Sequence, residues 1–257
     1  MKTILLAGGL GTRLSEETTL KPKPMVEIGG MPILWHIMKT YAAYGFNDFA
    51  VALGYKGDVI KEFFLNYKLH KSDMIVSLKT GDLKFENDQS EDWTVGLHET
   101  GANSMTGGRL LNLKKLFQPG ETFMLTYGDG VADIDISKLV DFHKSHGKIA
   151  TLTAVRPPAR FGSILMEDSG HILEFKEKPQ VGEGWINGGY FVFDYRVFDY
   201  LKDDQTILER DPLENLSKDN ELVAYRHDGF WHCMDTIRDR DNLNEIWAEK
   251  TAPWKKW

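Results

Sequence analysis

Short apolar runs that do not alternate with polar residues recur along the first half of the chain: Thr3-Ile4-Leu5-Leu6-Ala7, Phe49 to Leu53 and Phe123 to Tyr127. Runs of this kind suit parallel strands buried on both faces. Between them the period lengthens. Pro32 to Tyr44 carries the rows Ile33, Ile37, Tyr41 and Leu34, Met38, Ala42 on one face, with proline in its first turn and Gly45 past its end, which predicts a helix. Val59 to Tyr67 predicts a second helix, Thr94 to His98 a strand, and Arg109 to Phe117 a further helix. After the apolar Met74 to Leu78, the polar and acidic Gly81 to Asp92 reads as an exposed excursion or a loop that meets another subunit. Strands alternating with helices in this order predict an α/β fold with a mostly parallel sheet covered on both faces.

The pattern changes after Val155. Gly162 to Met166, a turn at Asp168-Ser169-Gly170, and Ile172 to Glu177 read as a hairpin. Strands follow at Tyr190 to Phe193, Leu222 to Tyr225 and Trp231 to Met234, and the last helix is Ile237 to Glu249. There is no Pro-, Gly- or Ser-rich linker, no repeat and no low-complexity stretch. One domain over 1–257 is expected, with a nucleotide half over about 1–155 and an acceptor half over about 156–257.

Composition narrows the class. At 257 residues, with 42% hydrophobic and 27% charged positions, the chain is an ordinary globule with enough length for a full core. A formal charge of −7 argues against a nucleic-acid surface while leaving room for a local basic pocket. The single Cys233 allows no internal disulfide and fits a reducing cytosol. The first apolar run is too short for a membrane span and lacks a cleavage site, so a cytoplasmic protein is expected.

The first strand runs into Gly8-Gly9-Leu10-Gly11-Thr12-Arg13-Leu14, with Lys21-Pro22-Lys23-Pro24-Met25 shortly after. Glycines let backbone N–H groups approach an anion closely, and Arg13 and Lys23 add charge that suits several phosphates. Two familiar phosphate loops do not match. The P-loop needs Gly-Lys-Ser/Thr where this chain has Gly11-Thr12-Arg13, and the dinucleotide fingerprint needs a small residue where Leu14 stands.

Acidic residues supply the other half of the chemistry. Asp129 ends an apolar strand between two glycines, where α/β sheets place ligands, and reads as a metal carboxylate or a turn residue. Asp235 also ends a strand and precedes a helix, so metal binding and helix capping are both open. Two strand-end aspartates suffice for Mg²⁺, which leaves its other positions to phosphate and water. Asp133-Ile134-Asp135 is a rival metal pair, read instead as the cap of a helix from Ser137 to Ser145. His143 and His146 lack partners at zinc spacing and are expected on a solvated face. No Ser-His-Asp order or nucleophile elbow is present, so covalent catalysis is not indicated.

Taken with Gly128-Asp129, Glu177-Lys178-Pro179 and Asn187-Gly188-Gly189-Tyr190, the glycine loop and its Lys-Pro-Lys-Pro-Met tail resemble the sugar-1-phosphate nucleotidylyltransferases over essentially the whole chain. The resemblance implies a Rossmann-like three-layer fold with antiparallel strands added in the C-terminal half. The segment Thr100-Gly101-x-Asn103-Ser104-Met105-Thr106-Gly107-Gly108-Arg109 is similar to that of members using CTP and glucose 1-phosphate. The implied reaction gives CDP-glucose and pyrophosphate and feeds dideoxyhexose synthesis for O-antigen. Carried over by motif, Leu6, Ala7, Gly8, Gly9, Gly11, Thr12 and Arg13 surround the nucleotide, with Lys23 at the α-phosphate. Ser104, Thr106, Arg109 and Gly128 lie near base, ribose or phosphates, and Asp129 and Asp235 hold Mg²⁺. Gly162, Glu177, Asn187 and Gly188 receive the sugar, and Lys178 its phosphate. The Gly130-Val131-Ala132 that follows Asp129 departs from the commonest family form.

In such a reaction the nucleophile is already an anion at neutral pH, so no general base is needed and charge neutralisation is the main task. The implied catalytic residues are Arg13, Lys23 and Asp129. A homo-oligomer is expected, with a hexamer as its candidate size. Alternatives are a relative using UTP or dTTP, a nucleotide-sugar sensor without catalysis, and, more remotely, a glycosyltransferase working through Asp133-x-Asp135.

Overall fold

The computed structural model describes residues 1–9, 11, 14–157, 163–167, 169, 172–176 and 184–257. Arg13, Thr12, Gly162, Glu177 and Lys178, all expected site residues, lie outside the described residues. The chain begins with β1 (Thr3–Leu6), α1 (Ser15–Thr18), the short pair β2 (Glu27–Ile28) and β3 (Met31–Pro32), then α2 (Ile33–Ala42). It continues through β4 (Asp48–Leu53), α3 (Gly57–Leu65), α4 (Tyr67–Lys71), β5 (Asp73–Val76), β6 (Leu83–Glu86) and β7 (Thr94–Glu99). Next come α5 (Thr106–Asn112), β8 (Thr122–Tyr127), β9 (Gly130–Ala132), α6 (Ile136–His146) and β10 (Ala150–Val155). The remainder is β11 (Ser163–Met166), β12 (Ile172–Lys176), β13 (Ile186–Asp194), α7 (Asp211–Lys218), β14 (Leu222–His227), β15 (Trp231–Cys233) and α8 (Ile237–Ala248).

Among the described residues, seven strands form the central sheet in the order β14-β10-β13-β8-β1-β4-β7. The pairs β8–β1, β1–β4, β4–β7 and β10–β14 are parallel, while β13 is antiparallel to both neighbours. The apolar runs are unalternating because the sheet is buried on both sides: Leu5, Val51, Met124 and Val192 face one layer, Ile4, Ala50, Phe123 and Phe193 the other. The first layer takes α2, α6, α8 and the C-terminal Trp254; the second takes α5, α7 and Val197-Phe198. The expected hairpin after Val155 is β11 paired with β12.

Two local expectations change, and the exposed excursion gains a hairpin. The helix expected from Arg109 starts at Thr106, because Gly107 and Gly108 lie against the backbone of 204–206: a Cβ on Gly108 would stand 2.1 Å from the Asp204 carbonyl oxygen. His143 is buried, its Nδ1 2.9 Å from Thr151 Oγ1, which also lies 2.7 Å from His146 Nε2, so this face of α6 packs on β10. The excursion after α4 contains the two-stranded β5–β6 hairpin, with Ile75, Leu83 and the 95%-exposed Leu78 turned to solvent. Asp135 caps α6 through the Lys138 N–H, while Asp133 pairs with His227 at 3.0 Å. Among the described residues no helix is long and apolar enough to cross a membrane.

Candidate functional site

A cleft of about 350 Å³ opens at the C-terminal ends of β1 and β8, the edge where parallel sheets present ligand loops. Of the expected nucleotide residues, Leu6, Gly8, Gly9, Gly11, Lys23, Ser104, Thr106, Arg109 and Gly128 line it, as do Asp129 and Asp235. Ala7 is buried just behind, its N–H bonded to the Ala52 carbonyl.

Lys23 enters from a turn that its prolines stiffen: Met25 N donates to Pro22 O, and Pro24 and Met25 are buried. Its Nζ stands 2.6 Å from Asp129 Oδ2 and 2.6 Å from Asp235 Oδ1. These carboxylates meet because β15 pairs with β9, placing Cys233 opposite Gly130 and closing Met234 N on the Asp129 carbonyl at 2.8 Å. Burial pulls the Lys23 pKa down, but the Asp129 charge and the two carboxylate hydrogen bonds outweigh it and hold it above the usual lysine range. Burial first, then Asp129, pushes the Cys233 thiol far above its ordinary range, so it stays protonated here.

The helix cap beside Asp235 is supplied by its neighbour. Thr236 caps α8, its hydroxyl accepting from Asp239 N while Asp239 accepts from Thr236 N. Capping therefore does not require the Asp235 carboxylate, which points to Lys23. Oxygens of Asp129 and Asp235 and the Cys233 sulfur all lie within 4.8 Å of one another. Two hard carboxylates at that spacing fit a divalent cation of the Mg²⁺ type, which would leave the thiol unused.

Arg109 sits 5% exposed at the base of the cleft. Its Nη1 reaches the carbonyls of Leu53 and Gly101 and the Thr100 hydroxyl, and its Nη2 the Gly8 carbonyl at 3.0 Å. It thus ties the ends of β1 and β4 to the loop before α5, and burial lowers its pKa. A Cβ on Gly8 would lie 2.2 Å from Arg109 Cζ, so any side chain there would displace the guanidinium from its carbonyls. With its carbonyl held by Arg109 and Tyr55 N, Gly8 is fixed at the cleft wall.

Ser104 Oγ donates to Asp204 Oδ1 at 2.7 Å and Thr106 Oγ1 to Glu209 Oε2 at 2.6 Å. The 203–209 segment therefore backs the start of α5. Asn187 and Gly188 stand beside the cleft rather than lining it: Asn187 Nδ2 reaches the Tyr127 hydroxyl, and Trp231 Nε1 donates to Gly188 O. Sequence reasoning missed Tyr127, Asp204, Glu209 and Cys233, whose thiol lies within 4.8 Å of the Asp129 and Asp235 carboxylate oxygens. Tyr127 and Cys233 neighbour Gly128-Asp129 and Asp235 in sequence and could have been suspected, whereas nothing local marks Asp204 or Glu209.

The nucleotidyl transferase family profile matches residues 2–236. Glucose-1-phosphate cytidylyltransferase of Salmonella typhi is 51% identical over 257 residues, covering 100% of both chains, and that of Salmonella typhimurium matches equally. Among solved structures, HddC from Yersinia pseudotuberculosis superposes with a TM-score of 0.68 at 24% identity, over 96% of this chain and 99% of that one. The chain belongs to the nucleotidyl transferase family, within its group of glucose-1-phosphate cytidylyltransferases.

Proposed function

We propose that the protein transfers CMP from CTP to α-D-glucose 1-phosphate, giving CDP-glucose and pyrophosphate. The observation that carries this reading is the Lys23 ammonium held between Asp129 and Asp235 in a cleft walled by a glycine loop and the start of α5. The choice of CTP and of glucose 1-phosphate rests on the full-length likeness to the Salmonella enzymes.

A phosphate oxygen of glucose 1-phosphate attacks the α-phosphorus of CTP in line; the new P–O bond forms as the bond to pyrophosphate breaks. The sugar phosphate is mostly dianionic at neutral pH, so the obstacle is repulsion between anions rather than a missing base. Lys23 turns from its carboxylates to the α-phosphate, and Arg13 forks onto the leaving pyrophosphate as charge gathers there. Gly8, Gly9 and Gly11 hold the phosphates close to the backbone, while Lys178 receives the sugar phosphate and Gly162, Glu177 and Asn187-Gly188 the sugar. Asp129 and Asp235 would hold Mg²⁺, which when bound neutralises and aligns the phosphates. The same reading takes 1–257 as one domain of two halves, working in the cytoplasm where nucleotides are made. It further takes the protein as a homo-oligomer, supported by the apolar exposure of the β5–β6 hairpin.

The test is purified protein with glucose 1-phosphate, Mg²⁺ and each of four nucleoside triphosphates in turn, following pyrophosphate. Selective release with CTP is the expected result. Equal or better release with UTP or dTTP would overturn the nucleotide assignment, and none with any would favour a sensor.

A further inference from the structure

Four side chains from separate segments form one hydrogen-bonded chain beside the cleft. Thr106 Oγ1 donates to Glu209 Oε2 at 2.6 Å, Tyr127 Oη donates to Glu209 Oε1 at 2.5 Å, and Asn187 Nδ2 donates to Tyr127 Oη at 3.2 Å. The far end is also pinned, since Gly189 N donates to Asn187 Oδ1 at 2.9 Å.

A carboxylate only accepts, so both hydroxyl hydrogens point at Glu209. That sets the polarity of the whole chain. The Tyr127 oxygen turns its lone pairs toward Asn187, whose carboxamide then directs nitrogen to the tyrosine and oxygen to Gly189. Asn187 keeps one N–H and one oxygen lone pair in set directions. This donor–acceptor pair matches sugar hydroxyls, each of which can give and receive a hydrogen bond.

We infer that Glu209 is a positioning residue for the sugar phosphate: its carboxylate, acting through the Tyr127 hydroxyl, orients the Asn187 carboxamide that receives the sugar. The inference rests on the proposed sugar role of Asn187. Glu209 itself is exposed and touches no part of the reacting phosphates in that scheme.

The test measures initial rates with glucose 1-phosphate and CTP varied separately in Glu209→Ala, Tyr127→Phe, Asn187→Ala and the Glu209→Ala/Asn187→Ala double variant. The first two are expected to raise the KM for glucose 1-phosphate roughly threefold to tenfold, the worth of one net hydrogen bond, and to raise the KM for CTP distinctly less, because Thr106 and Tyr127 also border the nucleotide cleft. The double variant should be no worse than Asn187→Ala, because both act at one point. Calorimetric CTP binding reports that each variant is folded. Equal rises in both KM values, or additive losses in the double variant, overturn the inference. If Asn187→Ala raises the KM for glucose 1-phosphate and Glu209→Ala does not, the inference alone falls. If Asn187→Ala has no effect, the sugar role of Asn187 falls with it.

Discussion

Lys23 Nζ lies 2.6 Å from Asp235 Oδ1, joining two residues 212 positions apart. With Asp129 at the same distance, one ammonium occupies the space between the carboxylates suited to a divalent cation. A divalent cation held there, as proposed, would compete with the lysine for the same negative charge.

Lys23→Met should consequently tighten binding of Mn²⁺ to the nucleotide-free protein by roughly tenfold or more, as loss of a competing cation implies, while slowing turnover. Electron paramagnetic resonance titration of free Mn²⁺ checks the first half and pyrophosphate release the second. Weaker Mn²⁺ binding in the variant would show that Lys23 does not occupy the cation position.

Gly8 and Arg109 form a second coupled pair. Gly8→Ala sets a methyl group against the guanidinium and should cost ~1–3 kcal/mol by overpacking, with weakened CTP binding. In an Arg109→Ala background the same substitution should cost much less, because the obstructing group is gone. Urea unfolding of the four proteins in the cycle measures this; additive losses would contradict the contact.

Acid should destabilise the protein through two buried imidazoles. Burial lowers His36 to about 4, and burial together with the charge of His146 lowers His143 to about 4. Unfolded histidine titrates near ~6.5, so between these values the unfolded chain binds more protons. Stability is then complete above pH ~6.5 and declines as pH falls toward ~4, by up to ~3 kcal/mol for His36 and by less for His143, which solvent screens more. His36 has no site for a second proton: Nε2 lies 2.8 Å from the Ile28 carbonyl and Nδ1 receives Trp254 Nε1. Urea midpoints at pH ~7 and ~4.5 should differ less in His143→Asn than in the native protein.

Leu78 and Ile75 project from a hairpin with little support from the rest of the chain. In an isolated subunit, exposed Leu78→Lys and Ile75→Lys would be nearly neutral for stability. In the proposed homo-oligomer they should shift sedimentation toward smaller species. Unchanged sedimentation of an assembled native protein would place its interface elsewhere.

Much of the fold was legible because burial on both faces of a parallel sheet writes itself as unbroken apolar runs, as at Ile4-Leu5-Leu6. The start of α5 was not, because Thr106-Gly107-Gly108 resembles a loop until the 204–206 backbone is laid against it. His143 misled for a related reason: Thr151, on another element, supplies its hydrogen bond. Asp235 was ambiguous locally, yet Thr236-Ile237-Arg238-Asp239 already carried the capping box that fills the rival role. The bridging position of Lys23 depends on the register of β9 with β15, which periodicity does not encode.

The contact between Gly108 and the Asp204 carbonyl also bears on how nucleotide preference could be altered. The 100–109 and 203–209 segments are matched surfaces, one shaped by missing side chains and the other by bare backbone. In a segment grafted at 100–109, any side chain brought in at position 107 or 108 would press into that carbonyl wall. The smallest exchangeable unit is therefore the pair, and substitutions that change preference should come as compensated changes in both.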